Sequence, residues 1–181
     1  MKKLSPLQLG LLKKGIIDLH GDVNGKMLHY VRECMMRLAL KDNPPISIKI
    51  TSSGGDVWFG LLIYDLFRSY PGKKTGTVIV FARSMAAIIL QACDKREATQ
   101  NSCILVHNIH VSKGEISLDE FDSVKQMKKI KDEIRKDQEK VHLILEKRTN
   151  KSRKTIMALC KKAYDLSAQE ALDVGLIDKI I

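Results

Sequence analysis

Cysteine, aromatic side chains and long apolar runs are all scarce in this chain. Its four cysteines, Cys34, Cys93, Cys103 and Cys160, lie far apart and make no CxxC pair. That spacing argues against a zinc site or a disulfide framework and fits isolated thiols in a reducing compartment. Aromatic residues are 5% of the sequence, too few to build a base-stacking platform. The net charge of +10 therefore does not point to nucleic acid: the lysines are dispersed in pairs, at 13–14, 73–74, 128–129 and 161–162, as on solvated helix faces. An acidic protein partner is the other reading of that charge. No apolar run approaches the roughly 20 residues that cross a bilayer, so no membrane span is expected. The opening MKKLSPLQLGLLKKG is interrupted by Pro6 and Gln8 and meets Lys13-Lys14 where a signal peptide needs small residues. It reads as a short N-terminal segment (1–14), and a cytoplasmic location is the expectation. No motif asks for a metal or an organic cofactor, and none is expected.

What is present is alternation of strand and helix. GIIDLHG (15–21) reads as a strand, and Met27, Val31, Met35 and Leu38 fall at helical spacing between Asn24 and Lys41. After Asn43-Pro44-Pro45, ISIKIT (46–51) alternates as a strand should. Ser52-Ser53-Gly54-Gly55-Asp56 is a turn, with Asp56 a candidate N-cap for the helix VWFGLLIYDLFRSY. TGTVIVFA (75–82) is the next strand, MAAIILQAC favours helix, Asp94-Lys95-Arg96 reads as a turn, and SCILVH (102–107) is a further strand. This order predicts one α/β domain, residues 1–181, with a parallel sheet and crossover helices.

The second half differs. Ser117 and Glu120 form an S-x-x-E capping box, followed by the apolar stripe Phe121, Val124, Met127, Ile130, Ile134, Val141, Leu145. Helical from 118 to 148, this segment would extend about 45 Å at roughly 1.5 Å per residue. A domain of this size cannot cover such a length, so the helix is expected to protrude and to serve self-assembly; a solvent-facing helix is the alternative. A shorter helix (153–162) follows. Ser167 and Glu170 then box the start of SAQEALDV, Gly175 ends it, and LIDKII reads as a last strand.

In parallel α/β sheets, sites form at the carboxyl ends of strands. Three such ends carry chemistry here: Gly54-Gly55 after 46–51, Ser84 after 75–82, and His107 after 102–106. A serine at a strand-to-helix turn sits at the positive end of the helix dipole, beside the amide of Met85. A histidine at a neighbouring strand tip can take its proton, and glycine-turn amides can receive a developing oxyanion. Each piece alone has a plainer reading: the serine as an N-cap, the histidine as structural, the SSGG as a common turn.

Their ordered combination resembles the proteolytic subunit of Clp proteases, serine peptidases of the ClpP/crotonase superfamily. The matching segments are ITSSGGDVWFGLLIYDLF, RSMAA, DKREATQNSCILVHN and DLSAQEALDVGLID, over roughly residues 15–181. The resemblance implies a ClpP/crotonase-like fold, Ser84 as nucleophile, His107 as general base, and Gly55 and Met85 as oxyanion-hole amides. It implies extended polypeptide substrates bound along Asp56-Val57 and Ile109-Val111. It also implies a homo-oligomeric ring assembly, heptamer or tetradecamer, fed by an AAA+ unfoldase, with residues 117–149 as the ring-joining handle.

Several positions depart from that family's pattern. Its third triad member, an Asp three positions before the Leu of L-S-A, falls here on Ala163. The nearest acid is Asp165, which would face the same side if the segment is extended, and it is taken as the candidate third member. Its plainer reading is a stabiliser of the last helix's dipole. Val80 and Arg83 replace small residues before the serine, Ala86 replaces the usual Gly after Met85, and Ser53 stands where Pro is usual. Two other classes stay open: a catalytically weak or inactive structural subunit, and a crotonase-type acyl-CoA enzyme.

Overall fold

Isoleucine alternating with polar residues sets the second strand of the sheet: Ile46, Ile48 and Ile50 are buried and the residues between them half-buried. A computed structural model of the protein describes residues 4–110 and 124–181. The elements run α1 (Pro6–Lys13), β1 (Ile16–His20), α2 (Gly25–Ala39), β2 (Ile46–Ser52), α3 (Val57–Ser69), β3 (Lys74–Arg83), α4 (Met85–Leu90), β4 (Lys95–Ala98) and β5 (Cys103–Leu105). After the segment outside the described residues come α5 (Val124–Thr149), α6 (Arg153–Lys162), β6 (Leu166–Ser167), α7 (Ala168–Asp173) and β7 (Lys179–Ile180).

β1, β2, β3 and β4 lie side by side in that order and pair in parallel, as successive β-α-β crossovers dictate; β7 adds to the β4 edge. Strand β3 has two partners on one side. Thr75–Val78 pairs with β4, and Phe81–Arg83 pairs with β5. A register shift against β2 between Ile50 and Ser52 marks the same point. The end of β3 is thereby brought beside the end of β5, which is where the site forms.

The sheet is mostly parallel, as expected, but β6 pairs antiparallel with β5. Two further elements differ from the sequence reading. Residues 6–13 form a helix, entered through a Ser5–Gln8 capping box. Lys95 and Arg96, read as a turn, begin strand β4. The Ser117–Glu120 capping box lies outside the described residues. The described part of the long helix, α5, has 26 residues, about 39 Å at roughly 1.5 Å each. Its buried residues are Val141, His142, Leu145 and Thr149, so its N-terminal half buries none and stands clear of the core. Among the described residues, no helix is long and apolar enough to cross a membrane.

Helix α4 is enclosed on every side. All six of its residues, Met85–Leu90, are buried, the all-round apolar pattern of a helix inside a core. Gly60 of α3 permits this, because a Cβ there would lie 2.9 Å from Met85 Cβ. Beneath α4, Arg96 is buried and forms a hub. It binds Asp178 through its backbone N–H, Nε and Nη2, and its Nη1 donates to Gln91 Oε1 (2.7 Å), Gly175 O (2.9 Å) and Arg148 O (3.2 Å). Burial pushes the Asp178 carboxyl up, but the hydrogen bonds from Arg96 outweigh it and hold it below the usual carboxylate value. Asp178→Ala leaves the guanidinium buried without its partner. It is expected to destabilise the fold by about 3 kcal/mol, the low end for a broken buried pair because the Asp178 side chain is 38% exposed. Urea unfolding of both proteins measures this. The difference should be complete above the ordinary carboxylate range and shrink as pH falls through the lowered native value.

Candidate active site

Ser84 is the first residue past β3 and sits at φ 53, ψ −126, a conformation that only glycine adopts freely. Its backbone is held from both sides. The N–H donates to Leu105 O of β5 (2.8 Å), and the carbonyl accepts from Ala87 N (3.0 Å) and Ile88 N (3.3 Å) of α4. The strain, of order 1–3 kcal/mol, is thus imposed by two elements meeting at one residue. Ser84 stands at the N-cap position of α4, yet its side chain makes no capping hydrogen bond, against the plainer reading of this serine as a helix cap.

The register that sets Arg83 against Leu105 puts Ser84 and His107 at the tips of adjacent strands. Both line a cavity of about 200 Å³, together with Gly55, Val57, Met85 and Ile109. Six of the residues selected from the sequence therefore converge on one space. Larger clefts, of about 400 and 430 Å³ beside α1 and α2 and of about 470 Å³ between α3 and α5, hold no serine under backbone strain.

The glycine turn is fixed by Val23, a residue that carries no motif. Val23 N–H donates to Gly54 O (2.7 Å) and Val23 O accepts from Asp56 N (2.9 Å), a parallel bridge centred on Gly55. That pattern engages the neighbours of Gly55 and leaves its own N–H out of the bridge. Gly54 and Gly55 have φ of 90° and 147°. A Cβ at Gly54 would come within 2.6 Å of Ser84 Cβ, and one at Gly55 within 2.4 Å of Val23 O. Met85, as the first residue of α4, has an N–H with no carbonyl in its own helix to meet it.

His107 Nδ1 lies 2.5 Å from Asn108 O. A carbonyl can only accept, so Nδ1 carries the proton and the neutral ring is basic at Nε2. The ring also stacks on His110, centroids 5.0 Å apart and planes 19° from parallel.

Asp165 is placed elsewhere. Its two carboxylate oxygens accept from Arg83 Nε and Nη2, both at 2.7 Å, and among the described residues it makes no hydrogen bond to His107. The Arg83 hydrogen bonds hold this carboxyl below its ordinary value, against the effect of burial. Strand register explains the choice. β5 and β6 set Cys103 opposite Ser167 and Ile104 opposite Leu166. Continued, that ladder puts Leu105 opposite Asp165 and His107 opposite Ala163, and Leu105 is also the partner of Arg83. Ala163 itself ends α6 in the left-handed conformation.

Of the expected substrate-contact residues, Val57 and Ile109 line the cavity. Asp56 caps α3 through Phe59 N (2.9 Å), and its backbone N–H and C=O are bound by Val23 and Gly60, so it offers no free strand edge. Val111 lies outside the described residues. Among those described, no group of three or more His, Cys, Asp or Glu could hold a metal ion.

Compared with known proteins, residues 3–181 match the family model described as Clp protease. The fold is similar to a solved structure of a ClpP1 point mutant from Listeria monocytogenes, with a TM-score of 0.84 and 22% identity, covering 97% of this chain and 95% of that one.

Proposed function

The chain belongs to the Clp protease family of serine peptidases, and on that premise we propose that it is an endopeptidase cleaving unfolded polypeptides through an acyl-enzyme at Ser84. The observation that carries the proposal is the state of Ser84: a non-glycine residue at φ 53, its side chain uncapped, sharing a cavity with His107. A serine kept only to start a helix needs neither the strain nor the neighbour.

In this reading His107 Nε2 removes the proton from Ser84 Oγ as the oxygen attacks the scissile carbonyl. The N–H groups of Gly55 and Met85 receive the tetrahedral oxyanion, each such donor contributing roughly 3–4 kcal/mol where one has been removed. The imidazolium then protonates the leaving amine, and water activated by the same ring releases the acyl group. Val57 and Ile109 supply apolar walls for a substrate side chain. As in the family, the assembly is expected to be a homo-oligomeric ring, heptamer or tetradecamer, in the cytoplasm, with an AAA+ unfoldase delivering substrate and α5 joining rings.

The Arg83–Asp165 pair favours a second reading, a catalytically weak subunit, because Asp165 does not orient His107. A fluorophosphonate probe, which reacts only with an activated serine, separates the two. Wild type is expected to label at Ser84, His107→Ala to lose labelling, and Asp165→Ala to keep it. An assembled wild type that does not label rejects the peptidase.

A further inference from the structure

Neither Ala163 nor Asp165 supports His107, so whatever orients the ring must come from somewhere else. The Asn108 carbonyl that accepts from His107 Nδ1 belongs to the same peptide group as Ile109 N–H. That N–H donates to Gln138 Oε1 of α5 at 2.6 Å. No cis bond occurs among the described residues, so the C=O and N–H of this group point in opposite directions, one to the histidine and one to the helix. Gln138 Nε2 in turn lies 2.9 Å from His142 Nε2, one turn along α5.

Every link has only one possible direction. The carbonyl accepts, so His107 donates. Ile109 N–H donates, so the amide oxygen of Gln138 must face it. The Gln138 NH2 therefore faces His142, whose Nε2 must accept. His142 is 6% exposed; burial and then Arg153 hold its pKa down, against Glu139 and Glu146, which keeps the ring neutral and able to accept.

Resting on the proposed role of His107, we infer that Gln138 and His142 are positioning residues for this base, acting through the Asn108–Ile109 peptide where a triad would use a carboxylate. The peptide and the Gln138 amide lie head to tail, and hydrogen bonds in such a line polarise one another. When His107 takes the Ser84 proton, its Nδ1–H becomes a stronger donor, and two dipoles already point so as to receive it. The relay also fixes the tautomer before substrate arrives. The sequence does not mark Gln138, because a lone glutamine on a charged helix reads as solvated surface.

The test uses the full chain, with Gln138→Leu removing both links at similar volume and Gln138→Glu keeping an oxygen for Ile109 N–H. On a fluorogenic peptide, Gln138→Leu is expected to lower kcat about 10- to 100-fold with KM changed less than about twofold, and Gln138→Glu to recover most of the loss. In ¹⁵N-histidine spectra, assigned by deleting His107, wild type is expected to show one neutral His107 tautomer, protonated at Nδ1, and Gln138→Leu a mixture. An unchanged tautomer in Gln138→Leu overturns the relay whether or not the protein hydrolyses peptide. If Gln138→Leu does not fold, His142→Leu against His142→Gln, which keeps an acceptor near the Nε2 position, gives the same comparison. Failure of the peptidase reading is recognised separately, by a folded wild type that neither labels at Ser84 with the fluorophosphonate probe nor hydrolyses peptide.

Discussion

Ser84→Ala is expected to abolish peptide hydrolysis, with a loss of about 10⁴-fold or more, because a triad-type nucleophile has no substitute once its oxygen is gone. Ser53 also lines the cavity and is the fitting control. It lies on the turn after β2, not on the strained elbow, and Ser53→Ala is expected to keep most of the activity. Ser84→Gly extends the argument from rate to stability. At φ 53, ψ −126 the backbone occupies the mirror image of the extended region, open to glycine and strained for any residue with a Cβ. Ser84→Gly should therefore be as inactive as Ser84→Ala yet more stable than wild type by about 1 kcal/mol, read as a rise in melting temperature. Hydrolysis that survives Ser84→Ala rejects the proposed nucleophile. A glycine variant less stable than wild type rejects the strain.

The parts of this molecule that were legible in the sequence are those fixed locally. The Ile46–Ile50 alternation, the Ser167–Glu170 capping box and the glycine turn each state their structure within a few residues, and each is found where it was read. Ser84, His107, Gly55 and Met85 were legible as a set because each stands at a strand end or next to one, and parallel strands bring such ends to one edge. What stayed hidden depends on partners far along the chain. Strand β4 reads as charged turn residues because Arg96 becomes tolerable in the sheet only once Asp178 meets it. Asp165 lies within two residues of the position expected to reach His107, but β5–β6 register assigns it to Arg83 instead. Val23 and Gln138 carry no motif; one fixes the glycine turn and the other caps an amide across the molecule. Backbone groups as partners, such as the Asn108 carbonyl, leave no trace in residue identity.

Gly55→Ala is expected to have the second-largest effect, and it tests the oxyanion hole without touching a titratable group. The added Cβ would stand 2.4 Å from Val23 O and 3.0 Å from Val23 N, both backbone atoms locked into the bridge that shapes the turn. No rotamer change relieves such a contact, and φ 147 is itself a conformation that residues with side chains rarely adopt. The turn must shift, and the Gly55 N–H shifts with it. Loss of one oxyanion donor lowers kcat about 10²- to 10³-fold. Strain of roughly 1–3 kcal/mol should also lower the melting temperature, so rates are to be compared where circular dichroism shows both proteins folded. Gly10→Ala is the companion variant: a Cβ there meets nothing within 4 Å, and in a helix alanine is preferred by up to about 1 kcal/mol. It should leave both rate and stability at or above wild type. A folded Gly55→Ala protein that hydrolyses peptide at the wild-type rate would remove the Gly55 amide from the mechanism, leaving Met85 as the remaining candidate donor.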